Sequence, residues 1–163
     1  AKAVGTSPRV LLYYFKSKEA LIVEVLQGAR MRQRQLFAAL KVEHDARAAD
    51  ACRAIWSVMS APKAEAVFRL FFEVYALALQ DRARFEGFLQ SAVEDWLLFL
   101  EAPRVREGYK RADARAIATV IVAGFRGFML DLCATHDRKR IQRAFELWLV
   151  SIERIPTPKE LAA

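Results

Sequence analysis

Turn formers and metal ligands are scarce in this chain, and each scarcity closes off a class of protein. Its 163 residues include six glycines, five prolines, two cysteines and two histidines. So little Gly and Pro, with 55% hydrophobic residues, fits one compact body with a real core rather than a disordered tail. Alternating Val/Ile/Thr runs bounded by turn residues are absent, which argues against strands. The histidines, His44 and His136, each stand beside an aspartate in expected loops. No Glu-x-x-His pair, HExxH motif, Gly-rich phosphate loop or Cys-His grouping occurs. Glu94 and Asp95 are adjacent on an expected helix and point apart, so they cannot share a substrate. The chain is therefore not read as an enzyme, and no metal or cofactor is expected. Cys52 and Cys133 lack metal or redox spacing, which fits buried thiols in a reducing cytoplasm. No signal peptide is visible. The uncharged run 116–125, between Arg115 and Arg126, is ten residues long, too short to span a bilayer. A cytoplasmic protein without a membrane partner is expected.

Apolar residues recur at helical spacing nearly everywhere, and an all-α fold follows. The spacing predicts a short helix from Pro8, a long one from Ser17 to about Lys41, and a polar break at Glu43, His44 and Asp45. Further helices are expected over about 46–60 and 63–80, then from a cap at Asp81 to near Pro103. A loop is expected over 104–111, a helix from Asp113 to about Ala134, and a last helix capped by Asp137 and ending before Pro156. The tail 156–163 is expected to fray.

Residues 3–26, AVGTSPRVLLYYFKSKEALIVEVL, compress a turn, a short helix and a second helix start into two dozen positions. Gly5 can take the positive φ of a tight turn, Ser7 can cap the next helix, and Pro8 suits its first position. Stepping 100° per residue places Leu11, Leu12 and Phe15 on one side and Arg9, Val10, Tyr13 and Tyr14 on the other. One face packs and the other is free to read a surface. Ser17 is a cap candidate for the helix through Leu21, Val25 and Leu26. Lys18 in its first turn adds charge to backbone N–H groups that attract phosphate.

This stretch resembles the recognition helix and following helix start of TetR-type (tetracycline-repressor-like) regulators. Gly5, Ser7, Leu11, Tyr14, Phe15, Ser17, Lys18, Glu19, Ala20 and Leu21 carry the likeness. Three positions depart from it: Leu12 stands where a phosphate-binding tyrosine is usual, Val10 replaces a common threonine, and Arg9 takes a frequent glycine or proline position. A TetR-type head also needs two helices before this one, so the head is expected to be truncated or disordered at its N-terminus. The same stretch also suits an ordinary helical hairpin with a Gly-Ser-Pro turn. The resemblance implies residues 1–27 as the remainder of a helix-turn-helix DNA-binding domain and 28–163 as a helical effector-binding and dimerisation domain. It implies Ser7, Pro8, Arg9, Val10, Tyr13, Tyr14 and Lys18 as residues that meet double-stranded operator DNA.

Charge distribution supports a polyanion partner independently. Residues 1–41 hold eight basic side chains (Lys2, Arg9, Lys16, Lys18, Arg30, Arg32, Arg34, Lys41) against Glu19 and Glu24, a net +6. The whole chain carries +7, which leaves +1 for the rest. Arg30, Arg32 and Arg34 also fit a merely solvated helix face.

Phe68, Phe71, Phe72 and Tyr75 recur at i, i+3, i+4 and i+7 on a helix that is apolar nearly all round, which predicts a central, covered helix. With Trp56, Phe88, Trp96, Phe125 and Arg126 they form a candidate effector pocket, and the same aromatics also suit a plain packed core. Glu73, Tyr75, Asp95 and Arg126 are the polar residues that can orient a ligand there, and Asp131 is a candidate structural partner of Arg126. Ile117, Val120, Ile121, Gly124, Phe125 and Phe128 form one stripe, and Ile141, Phe145, Trp148, Leu149 and Ile152 another. Ala118, Ala123, Gly124 and Gly127 keep the first helix thin. The resemblance implies that Ile117, Val120, Ile121, Gly124, Phe128, Ile141, Phe145, Trp148, Leu149 and Ile152 form a homodimer interface; a hairpin within one chain buries them equally well. The expected function is a DNA-binding repressor released by a small, largely apolar or aromatic effector. A helical lipid-carrier or protein-interaction module without nucleic-acid binding explains the aromatics too, and leaves the basic N-terminus idle.

Overall fold

The computed structural model describes residues 5–39 and 47–162, apart from the side chains of 29, 30, 32–39 and 162. Lys2, Lys41, the polar break at Glu43, His44 and Asp45, and the side chains of Arg30, Arg32 and Arg34 lie outside the described residues. Among those described, the fold is all-α, with seven helices. They are α1 (Pro8–Phe15), α2 (Lys18–Ala39), α3 (Ala48–Met59), α4 (Pro62–Gln80), α5 (Glu86–Arg106), α6 (Arg111–Thr135) and α7 (Arg138–Glu153).

Local chemistry sets most boundaries. Asp137 accepts the Arg140 N–H at 3.0 Å and so caps α7. His136 ends α6 in the left-handed region, at φ 55. Asp81 accepts the Arg84 N–H at 3.2 Å, but this caps a turn, and α5 begins only at Glu86. Contrary to expectation, α5 does not stop at Pro103. A proline in the last turn removes only its own N–H, and Glu107 closes the helix by donating to the Pro103 carbonyl at 3.1 Å. The tail is not frayed throughout. A 3-10 turn spans Glu160–Ala162, the Glu160 carboxylate accepts from the Thr157 N–H at 2.7 Å, and the Tyr109 hydroxyl donates to the Pro156 carbonyl at 3.1 Å.

The centre of the body is α6, not α4. Eight α6 residues are buried: Ala114, Ile117, Ala118, Ile121, Val122, Phe125, Met129 and Leu132. On α4 only Val74 and Ala78 are buried, while Val67, Leu77 and Leu79 are exposed. The apolar circumference of α4 did not decide its position, because α2, α5 and α6 cover one side of it. Taken whole, α6 is also long and apolar enough to cross a membrane, although its uncharged run 116–125 is not. Here it is packed against α4, α5 and α7.

Two apolar clusters result. The larger joins α3, α5, α6 and α7 around Trp56, Phe125, Phe145 and Leu149. The smaller joins α2, α4 and α5 around Leu26, Val74, Ala78, Phe85, Phe88 and Ala92. Each fully buried Leu, Ile or Phe adds about 1.5–3 kcal/mol by leaving water. Between α5 and α6 a buried carboxylate, Glu101, is satisfied by Arg111 at 2.9 Å and Arg115 at 3.4 Å. Arg115 also holds Glu94.

Candidate functional site

The short helix α1 starts where its sequence says it should. Ser7 is extended, with φ −96 and ψ 153, and its hydroxyl accepts the Val10 N–H at 3.3 Å. Pro8 follows at the first helical position, and Gly5 before it has φ 65. At the other end Lys16 takes φ 64 and ψ −36, and the Ser17 N–H donates to the Phe15 carbonyl at 2.7 Å. That is a γ-turn of the rarer, positive-φ kind. Ser17 then caps α2, its hydroxyl accepting the Ala20 N–H at 3.0 Å.

None of the residues of α1 is buried. Leu11 and Phe15 are half-buried, and α1 rests on α2. Leu12, expected on the packing side, is exposed. Ser7, Pro8, Arg9, Val10 and Lys18 are exposed as well, and Tyr13 and Tyr14 stand out with 82% and 73% of their surface open. The two tyrosine rings meet edge to face at 5.6 Å. An exposed aromatic pair flanked by Arg9, Lys16 and Lys18 offers stacking surface, hydroxyls and positive charge together. Glu19, next to Lys18, pairs with Arg84 at 2.9 Å and ties the start of α2 to the α4–α5 turn. Its own backbone N–H at the helix start, then Arg84, hold its carboxyl below the usual range.

The expected effector residues divide between the two clusters. Trp56 and Phe125 belong to the larger core: Trp56 stacks on Phe145 at 4.9 Å and donates from Nε1 to Gln142 at 2.8 Å, and Phe125 lies 6.1 Å from Phe145. Phe68, Phe72 and Trp96 pack against that core. Phe71, Tyr75 and Phe88 gather in the smaller cluster, with centroids 5.5 Å (Phe71–Tyr75), 6.0 Å (Phe71–Phe88) and 6.5 Å (Tyr75–Phe88) apart, and Phe71 meets Phe72 edge to face at 5.4 Å. Arg126 reaches this second group from α6. Glu73 points to solvent. Asp131 does not pair with Arg126, and instead forms a two-pronged bond with Arg140 at 2.8 and 2.9 Å. The α2 residues Ile22, Val23 and Leu26, which share the smaller cluster, were not anticipated as neighbours of the aromatics; only their helical spacing hinted at it.

The expected dimer stripe needs correction. Ile117, Ile121, Ile141, Phe145, Leu149 and Ile152 are buried within one chain, so they are unavailable to a second copy. Gly124 is covered by Trp148 of the same chain, and Phe128 and Trp148 are half-buried beside Phe145. Of the expected residues only Val120 is exposed. The outward line of α6 is Ala116, Val120, Ala123, Gly127 and Leu130, and α7 exposes Leu147 and Val150. The stripes chosen from sequence were the most apolar ones, which is why they close the chain's own core.

Cys52 is buried and Cys133 half-buried, both as free thiols, and burial pushes the Cys52 thiol up to about 12. His136 is exposed, with 65% of its side chain open, and its Nδ1 lies 3.3 Å from Glu65. Among the described residues no group of three His, Cys, Asp or Glu side chains gathers to hold a metal ion. No family model, curated protein or solved structure matches this chain.

Proposed function

We propose that this chain belongs to a cytoplasmic, homodimeric, TetR-like transcriptional regulator, a repressor that leaves its operator when a small effector enters the helical body. The observation that carries the reading is α1. It is capped at Ser7, rests through Leu11 and Phe15, and presents Arg9, Val10, Tyr13 and Tyr14 outward. Side chains of these types suit base edges, thymine methyls and phosphates, while Ser7 and Lys18 suit the DNA backbone. The excess of positive charge in residues 1–41 supports the same partner.

A two-fold dimer sets two such helices about 34 Å, or a multiple of it, apart on a palindromic site. The outward residues Val120, Ala123, Gly127, Leu130, Leu147 and Val150 supply an apolar surface for the second copy. The link from effector to operator runs through α2, whose Leu26 packs in the same cluster as Phe88 and Tyr75. Binding there favours a state in which the two heads no longer match the operator, and the coupling is reciprocal.

The test is selection of bound sequences from random duplex DNA, followed by anisotropy titrations at several salt concentrations. Specific, salt-dependent binding to a palindrome is the expected result. Retention of apolar ligands with no DNA binding at low salt overturns the reading in favour of a carrier or protein-interaction module.

A further inference from the structure

Arg126 sits on α6 where α4 and α5 meet it, and it is half-buried. Its Nη2 donates to the Ala92 carbonyl of α5 at 2.6 Å, and its guanidinium carbon stands 5.5 Å from the centroid of the Tyr75 ring on α4. The other arginines of α6, Arg111 and Arg115, both hold Glu101. Among the described residues Arg126 takes part in no ion pair. A guanidinium carries five N–H donors in a planar fork, and one carbonyl occupies one of them. Burial holds this guanidinium below the ordinary arginine range, while the Tyr75 charge and hydrogen bonding offset part of the effect, and no carboxylate among the described residues faces it.

A bond to one helix carbonyl is a poor structural return for burying a charge, since a neutral side chain fills the same space without the desolvation penalty. The neighbours supply the other half of a binding chemistry. Phe71 and Tyr75 are half-buried, lie 5.5 Å apart and lean on the buried Phe88. An apolar wall beside a forked, under-solvated cation matches a molecule with a hydrophobic body and a planar anionic end.

We propose that Arg126 receives the carboxylate of an amphipathic organic acid whose apolar portion lies against Phe71 and Tyr75. The inference rests on the effector reading above and narrows it: the ligand is an acid rather than a neutral apolar compound. Two N–H groups of the guanidinium engage the two carboxylate oxygens while the bond to Ala92 keeps the fork in place. The rings belong to the cluster that contains Ile22, Val23 and Leu26, so the acid lands next to the helix that carries α1.

Three matched pairs test it by calorimetric titration of the chain: benzoate and benzamide, 2-naphthoate and 2-naphthamide, decanoate and decanamide. In at least one pair the carboxylate binds about tenfold or more tighter than its amide, a difference of roughly 1.4 kcal/mol, and the aromatic and aliphatic arms show which body the wall accepts. Arg126→Gln brings the acid down to the level of the amide. Should R126Q lose its cooperative melt, Arg126→Lys serves, since a point charge without the fork cuts the preference about threefold or more. Equal binding within all three pairs, no binding of any, or a preference that survives the substitution overturns the proposal. Operator affinity is measured separately on the same samples. Acid binding that leaves DNA affinity unchanged upholds the acid site and removes the effector coupling, whereas DNA release by the amides as well as the acids upholds the regulator and removes the acid site.

Discussion

Trp148 occupies the space that a side chain at Gly124 would need: a Cβ built there lies 2.6 Å from Cζ2 of the indole. The ring cannot easily retreat, because Phe125, Phe128 and Phe145 hold it at centroid distances of 5.5–5.6 Å. Gly124→Ala is expected to destabilise the chain by about 1–3 kcal/mol, at roughly 2–4 °C of Tm per kcal/mol for this size. The double variant with Trp148→Phe recovers part of the loss, since the two residues are in contact. Thermal melts of the four combinations check this, and additive losses contradict it.

Operator binding should separate the residues of α1 by kind. Lys18→Ala weakens binding to all sequences and lowers the salt slope by about one. Tyr13→Ala and Arg9→Ala relax the choice of sequence, by about 1–3 kcal/mol for a residue that contacts a base pair well. Anisotropy titrations at four salt concentrations distinguish these outcomes, and unchanged affinity in all three variants removes the assigned roles.

Association and stability should come apart along α6 and α7. Val120→Glu and Leu147→Glu, both on exposed positions, convert a dimer to a monomer in light scattering with little loss of helicity. Phe145→Ala, whose side chain is wholly buried within the chain, instead lowers stability by about 3–5 kcal/mol. A dimer that survives both glutamates places the interface elsewhere.

The clasp between Asp131 and Arg140 gives stability a defined pH dependence. Arg140, and to a lesser extent Thr135, hold the Asp131 carboxyl below its usual value. A carboxyl depressed in the folded state stabilises above its unfolded pKa of about 3.9 and loses that contribution as pH falls through the folded value. Asp131→Asn is thus expected to lower Tm at pH 6–7, and the gap to the parent is expected to narrow as pH falls below the unfolded pKa. A Tm difference that persists undiminished in acid argues against the clasp.

Thiol chemistry reads out the core. Cys52, with its thiol pushed up to about 12, resists a thiol reagent at pH 8 until the chain is unfolded. The half-buried Cys133 reacts first and slowly, its thiol also raised by burial and by Glu65. Rapid labelling of both in the native state contradicts the packing of α3 against α7.

What was legible in the sequence was local. Ser7, Pro8, Ser17 and Asp137 act through groups within three residues of themselves, so their spacing was enough to place helix starts. The small residues of α6 also announced a close approach, and Gly124 against Trp148 is that approach. Position in the body was not legible. α4 is apolar nearly all round yet flanks the core, because burial depends on which neighbours arrive. The candidate effector residues show the same limit: Trp56 and Phe125 fill a core with Phe145, whereas Arg126 meets Tyr75 and a backbone carbonyl 34 residues away in sequence. A bond to a carbonyl leaves no residue-type signature to read. The exposed line on α6 was missed because the most apolar stripe was already committed inside.

The tight bend at Lys16 gives α1 its bearing. A non-glycine residue at φ 64 and ψ −36 holds a conformation that costs on the order of 1–3 kcal/mol, and only two residues, Lys16 and Ser17, separate the two helices. With so little chain between them, the angle at which the tyrosine pair projects from α2 is set at one α-carbon. Any rotation of the carrier helix about its axis would swing Tyr13 and Tyr14 like the hand of a dial, since no slack exists to absorb it. A small twist far down α2 is therefore enough to re-aim the tyrosine pair against whatever surface it meets.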